Sequence, residues 1–257
     1  MIDLKQIESF YPEHLRQFKR NLLREYLQYK ILENIFDSAW ADKLAFMGGT
    51  AIHIIHGNTR FSEYLDFDNR GLKKDEFVAL VASVEKSLRL QGYEVESRNV
   101  FKTAYHSRIK FFRVLFENNI SSHQDEVLTI QIDLEPQSFT YNPDKIILNK
   151  FDVFLMINVV PVDVLLAQKI ACLFTRKRPM GRDFFDIVFL SGRTEPNLTY
   201  LKEKLCINSR TELRRQLLKE CKKFNFKQLA EDVRPFLFSS AEAKKILFFK
   251  DYVEKVF

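Results

Sequence analysis

The stretch from Phe46 to Asp68, FMGGTAIHIIHGNTRFSEYLDFD, constrains this chain more than any other. Met47 closes a short apolar run, Gly48 and Gly49 interrupt it, and Thr50 opens an amphipathic turn, so strand, Gly-Gly turn and helix N-terminus follow one another. Two adjacent residues without Cβ let backbone come close to a ligand, Thr50 adds a hydroxyl, and the free N–H groups of the helix favour an anion. A dozen or so residues later Leu65, Asp66, Phe67 and Asp68 alternate apolar and acidic, which in a strand turns both carboxylates to one face. Two such carboxylates repel unless a cation sits between them. The two pieces predict a triphosphate held by backbone, with Mg²⁺ held by carboxylates and by the phosphates themselves.

The pattern around this stretch is that of an α/β chain. After a lead-in over residues 1–12, Pro12 opens an amphipathic helix to about Asp37, with Leu15, Phe18, Leu22, Tyr26, Tyr29 and Ile35 as its apolar stripe. Leu44 to Met47 reads as a strand, Thr50 to His56 as a short helix, Tyr64 to Asp68 as a strand, and Lys74 to Gln91 as a helix ended by Gly92. Three β-rich runs follow, Tyr93 to Lys102, Tyr105 to Glu117 and Val127 to Glu135. The last two form a hairpin with the polar, flexible tip ENNISSHQDE. Asn142 to Ile157 adds one or two strands. From Pro161 the texture is helical: Pro161 to Arg176, Arg182 to Leu190, Leu198 to Leu205, Ser209 to Phe224, Lys227 to Phe236 and Ser240 to Val256, with Ser209 and Ser240 as N-caps. The expected organisation is a mixed sheet flanked by helices over residues 1–160 and an α-helical domain over 161–257.

Further candidates for chemistry lie beyond the first stretch. Asp133 sits between apolar neighbours in a strand, where an isolated carboxylate is costly to bury; it either has a partner, such as metal, or lies on a solvated strand face. Lys169 lies mid-helix among apolar residues with Arg176 seven further on, so both project from one face; Lys169 either meets a phosphate or snorkels to water. Arg182, Asp183 and Asp186 fall at a helix start, where acidic residues are favoured in any case. His53 and His56 are three apart on the short helix, but no third His or Cys lies near in sequence, which speaks against zinc. Arg176, Lys177, Arg178 and Arg182 form one basic cluster. Arg214, Arg215 and Lys219 lie in a second, on a C-terminal helix. Such density of like charge either forms a solvated face or repels itself until a phosphate backbone relieves it, and we expect an RNA acceptor there.

Composition excludes several classes. With 257 residues, 46% hydrophobic and 29% charged, the chain has room for a sizeable core. It has no run of 18 apolar residues and no leader-like start at Met1, so no membrane span is expected and the cytoplasm is the expected location. Cys172, Cys206 and Cys221 are far apart and odd in number, which points to neither a disulfide framework nor a zinc site. The net charge of +6 and pI near 9.1 favour a polyanionic partner.

At GGTAIHIIHG, RFSEYLDFD and LLAQKIACLFTRKRPMGRDFFD the chain resembles the AbiEii-type toxins of the polymerase-beta-like nucleotidyltransferase superfamily. The ordered set, rather than Gly-Gly alone, carries the resemblance. It implies a polymerase-beta-like fold and transfer of a nucleoside monophosphate from an NTP to an acceptor hydroxyl. Asp66, Asp68 and Asp133 would bind Mg²⁺ or Mn²⁺. Gly48, Gly49, Thr50, Arg60, Ser62, Lys169, Arg182 and Asp183 would bind the nucleotide, and Lys169 and Asp186 would join the carboxylates in catalysis. It further implies the toxin of a toxin–antitoxin or phage-defence pair that modifies RNA such as the tRNA acceptor end, with a separate antitoxin. One departure stands out: the family usually reads Arg-x-Ser-x-Asp-Leu-Asp-Phe, and Tyr64 occupies the first aspartate position. Either Asp66 and Asp68 form the metal pair or one ligand is missing. The alternatives are a binding member with weakened catalysis and an enzyme that nucleotidylates protein hydroxyls.

Overall fold

Alternation of apolar and polar residues builds the centre of the protein. A computed structural model describes residues 3–257. Its strands are β1 (Leu44–Met47), β2 (Tyr64–Asn69), β3 (Val95–Phe101), β4 (Tyr105–Phe111), β5 (Leu128–Pro136), β6 (Asp144–Lys150) and β7 (Val153–Val159). Among the described residues they form one seven-stranded sheet in the order β3-β4-β5-β2-β1-β7-β6. Pairing is antiparallel except between β2 and β5 and between β1 and β7, so the sheet is mixed.

The chain divides into two compact units. The first holds the sheet and comprises the chain up to Ala51, Ser62–Ser138 and Pro143–Val159; the second comprises Ile52–Phe61, Phe139–Asn142 and Val160–Phe257. In the first unit Leu65, Phe67, Phe46, Ile132 and Ile109 turn to one face and are wholly buried or within 1% of it. Two helices, α2 (Lys19–Phe36) and α4 (Lys74–Leu90), cover that face, with the Phe36 ring 6.1 Å from Phe67 and Phe77 5.6 Å from Tyr105. The intervening residues, Asp66, Asp68, Gln131, Asp133, His106 and Arg108, turn to the opposite face, as a side-chain period of two requires.

The second unit packs helices α6 (Val162–Thr175), α7 (Gly181–Ser191), α8 (Leu198–Leu205), α9 (Arg210–Cys221), α10 (Phe226–Val233), α11 (Lys244–Leu247) and α12 (Phe249–Val256). Phenylalanines concentrate in its core: the ring of Phe184 meets Phe224, Phe226 and Phe249 edge-on at 5.2, 5.7 and 4.9 Å. Gly181 allows this packing, because a Cβ there would lie 2.0 Å from the Leu229 carbonyl oxygen. No helix among the described residues is long and apolar enough to cross a membrane. The three cysteines are free thiols, and burial pushes that of Cys221 up to about 11.

Several boundaries differ from those expected, for identifiable reasons. The lead-in over residues 1–12, of which 1–2 lie outside the described residues, contains helix α1 (Leu4–Ser9). Asp3 Oδ1 accepts from Gln6 N at 2.8 Å and Gln6 Oε1 from Asp3 N at 3.0 Å, a reciprocal cap. Pro12 heads only a 3₁₀ turn, Glu13–Leu15, and α2 begins at Lys19 after Phe18 leaves helical geometry. Tyr105 to Glu117 ends as a strand at Phe111 and gives a helical turn, α5 (Val114–Glu117), after Arg113 at φ 60°. The β4–β5 hairpin itself is present. Ser209 is an N-cap, accepting from Glu212 N at 3.2 Å, but Ser240 is not; a 3₁₀ turn precedes α11, and Phe248 separates α11 from α12.

Candidate active site

In the first unit the polar face of the sheet gathers the acidic residues. The parallel register between β2 and β5 sets Asp66 opposite Asp133, Asp68 opposite Glu135 and Tyr64 opposite Gln131. Across β4, His106 stands opposite Asp133. His106 Nδ1 is 2.7 Å from Asp133 Oδ1, and Gln131 Nε2 donates to both oxygens at 2.9 Å. Asp133 is therefore neither isolated nor on a bare solvated face, and half-buried it has a donor shell of its own. His106 was missed because its meeting with Asp133 depends on hairpin register across an irregular tip. Gln131, two residues before Asp133 on the same face of β5, was open to the period-of-two reading and was overlooked.

The Gly-Gly turn abuts Asp66. Helix α3 (Gly48–His56) starts at Gly48 itself, whose φ of +77° favours glycine, and a Cβ there would fall 2.1 Å from Asp66 Oδ2. Gly48→Ala is expected to lower stability by about 1–3 kcal/mol through backbone strain. It should also lower activity by displacing Asp66, read as reduced Tm together with reduced transfer; wild-type activity would show that Asp66 tolerates the move. Thr50 departs from the expected role. It is fully buried and its hydroxyl donates to the Tyr64 carbonyl, so it ties α3 to β2 rather than facing a phosphate. Ser62 is half-buried, and its carbonyl accepts from Gln28 Nε2 at 3.1 Å.

The three carboxylates expected to share metal differ in surroundings. Asp66 and Asp133 are neighbours and half-buried, whereas Asp68 is 1% exposed and two residues further along the strand. Among the described residues no group of three or more His, Cys, Asp or Glu side chains could hold a metal ion. Asp68 lies two residues beyond Asp66 along the same face of β2, about 6.6 Å away, whereas Asp66 and Asp133 stand opposite one another in register. That pair suits Mg²⁺, which is commonly bound by one or two carboxylates plus substrate phosphates. His53 is accounted for structurally, its Nδ1 2.8 Å from the Asn58 carbonyl.

The second unit holds a buried charge cluster. Asp183 and Asp186 have no exposed surface, and Arg60 is 1% exposed. Arg60 Nε and Nη2 donate to the two oxygens of Asp186 at 2.7 and 2.6 Å, and Asn58 Nδ2 donates to Oδ1 at 2.8 Å. Lys169 Nζ lies 2.9 Å from Asp186 Oδ2 and 3.5 Å from Asp183 Oδ1. Asp183 also accepts from Arg176 Nη1 at 2.9 Å and from Met180 N at 3.1 Å, the latter capping α7. Burial pushes the Asp186 carboxyl up, but Arg60 and Lys169 outweigh it and hold it below the ordinary aspartate range. Burial draws the Lys169 ammonium down, and Asp186 with Asp183 overcomes this and raises it.

This geometry revises individual roles. Lys169 does not snorkel; Asp186 and Asp183 hold its ammonium. Arg60, expected on the nucleotide, has its guanidinium buried in a two-point contact with Asp186, the arrangement that satisfies a buried ion pair. Arg182 is half-buried in the first turn of α7. Members of both basic clusters have acidic companions: Arg176 pairs with Asp183, Arg178 with Asp232 and Arg215 with Glu212. Lys177, Arg214 and Lys219 are exposed.

The family model described as "Nucleotidyl transferase AbiEii toxin, Type IV TA system" matches residues 30–252. The chain belongs to the AbiEii nucleotidyltransferase toxin family. As an AbiEii-family member it is a nucleotidyltransferase. Two crystal structures from Helicobacter pylori share the fold. One, of a protein provisionally assigned as a nucleotidyltransferase, is 18% identical with TM-score 0.57, covering 91% of this chain and 94% of that one. The other, JHP933, is 18% identical with TM-score 0.56, covering 91% and 92%. No curated protein sequence matches the AbiEii-family chain.

Proposed function

We propose that this protein transfers a nucleoside monophosphate from an NTP to a hydroxyl of RNA, at the acceptor end of tRNA, and that it does so as the toxin of a toxin–antitoxin pair with a separate antitoxin. One observation carries the reading: Asp66 and Asp133 stand side by side on parallel strands, and the glycine that starts α3 abuts Asp66. Asp66 and Asp133 would hold Mg²⁺ or Mn²⁺, which when bound neutralises charge on the phosphates and on the attacking oxygen. Gly48 leaves room for the Asp66 carboxylate beside the α3 N-terminus, whose free N–H groups would meet a phosphate. His106 and Gln131 fix the Asp133 carboxylate, so it need not reorganise during the reaction. Within the second unit, Asp183 and Asp186 hold Lys169 as a largely buried, positioned cation.

A second reading, nucleotide and RNA binding with little transfer, is favoured by Tyr64 at the position where an aspartate is usual. Transfer of label from each α-labelled NTP to total tRNA, with and without Mg²⁺, separates the two. Labelled tRNA that requires the cation is the expected result. Absence of label with every NTP, in folded protein that binds NTP, would leave the binding role.

A further inference from the structure

The row of side chains next to the carboxylates has a composition that nucleotidyl transfer alone does not require. Reading across four strands of the first unit, Tyr64 on β2 stands opposite Gln131 on β5, Gln131 opposite Arg108 on β4, and Arg108 opposite Arg98 on β3. Three strand spacings make this row about 14 Å long, and it lies about 6.6 Å along the strands from the row of Asp66, Asp133 and His106. Tyr64 is 38% exposed, and Arg98 and Arg108 are exposed.

Two features mark the row as a ligand surface. Like charges directly opposite on neighbouring strands destabilise a sheet, and the adjacent pair in the same hairpin, Glu96 with Lys110, is balanced in the ordinary way. Among the described residues Arg98 and Arg108 have no carboxylate partner, and a polyanion relieves their repulsion. The second feature is connection. Arg108 Nε donates to Gln131 Oε1 at 3.0 Å, and Gln131 Nε2 donates to Asp133, so the outer cation is linked by hydrogen bonds to the carboxylate row. An exposed aromatic ring at one end and two guanidinium groups at the other match single-stranded nucleic acid, whose bases stack on rings while its phosphates take the charge.

We infer that the row Tyr64, Gln131, Arg108, Arg98 is the track for the single-stranded end of the RNA acceptor, with a base on Tyr64 and backbone phosphates on Arg108 and Arg98. This inference rests on the RNA-acceptor reading above and adds the surface that receives the strand. It also gives the aromatic at position 64 a role of its own.

The test is binding of a short fluorescein-labelled single-stranded RNA, and of the matching duplex, to the full chain by anisotropy over a range of salt, without NTP. A fluorescent NTP analogue is titrated in parallel. The single strand should bind better than the duplex. Arg98→Gln with Arg108→Gln should make the log–log salt slope shallower by about 1.4, for two lost phosphate contacts. Tyr64→Ala should weaken binding about 10-fold, as loss of one stacked base does. NTP binding should be unchanged in both. Unchanged RNA affinity and slope in the arginine variant would overturn the track even if the enzyme transfers label to RNA. Equal affinity for duplex and single strand, or label on protein with no RNA binding, would overturn it too. RNA binding that depends on these residues in an enzyme that transfers no label would support the track and sink the transfer reading instead.

Discussion

Asp66→Ala is expected to lower kcat/KM for nucleotidyl transfer by at least about 10³-fold, the scale on which a single element of electrostatic stabilisation is lost, and to leave the protein folded. Asp68→Ala should do the reverse, costing stability first and activity less. The two residues share a strand and a face, so the difference comes entirely from their neighbours. Asp66 is half-buried, faces Asp133 and is abutted by Gly48. Asp68 is 1% exposed and lies between Ala45 on β1 and Glu135 on β5. A polar group buried there is not without interactions inside the protein, and its removal leaves its partners unsatisfied, at about 1–3 kcal/mol. Transfer rates together with urea midpoints for both variants check the prediction. A folded, wild-type-stable Asp68→Ala protein as inactive as Asp66→Ala would instead assign the metal pair to Asp66 and Asp68.

Arg60→Met is expected to destabilise the protein by about 3–5 kcal/mol, because it removes one partner of a fully buried ion pair and leaves the other behind. Asp186 would keep Lys169 at 2.9 Å and Asn58 at 2.8 Å but lose the two-point contact that now satisfies both its oxygens. Arg60→Lys should recover only part of the loss, since an ammonium does not reproduce the fork. The pH dependence has a definite sign. Asp186 is held below its unfolded value, so its contribution is complete above the ordinary aspartate pKa and is lost as pH falls through the depressed folded value. Lys169 is raised, so its contribution is complete below the ordinary lysine pKa and lost as pH rises through the raised value. In Arg60→Met the acid-side loss should begin at higher pH, because Asp186 has lost the guanidinium that meets both its oxygens. Urea unfolding across pH measures both effects. Wild-type stability with a raised KM for NTP would mean that Arg60 serves the nucleotide directly and that its contact with Asp186 is dispensable.

Much of the candidate site was legible in local pattern. The break at Gly48 and Gly49 and the alternation over Leu65 to Asp68 required strand, turn, helix and acidic strand in that order, and β1, α3 and β2 follow it. Lys169 on α6 and Arg176, the extended residue just after it, do meet one carboxylate, Asp183, although α6 ends at Thr175 and the two do not share a helix face. What pattern missed was breaks and partners. The apolar stripe from Leu15 to Ile35 runs through Phe18, where the backbone leaves helical geometry, because periodicity is blind to a single residue's φ and ψ.

By itself the amino-acid sequence determined the faces: with a side-chain period of two, Tyr64, Asp66 and Asp68 had to lie together. Only the tertiary structure decided which of them acquired neighbours. Asp66 faces Asp133 because β2 and β5 pair in parallel in one register, and a slip along the strand would have put another residue there. Arg60 is buried on Asp186, 126 residues away along the chain, because a buried carboxylate must be met by whatever cation the fold brings to it. Neither register nor long-range pairing leaves a mark in the local spacing of residues, which is why the carboxylates could be found from sequence while their partners could not.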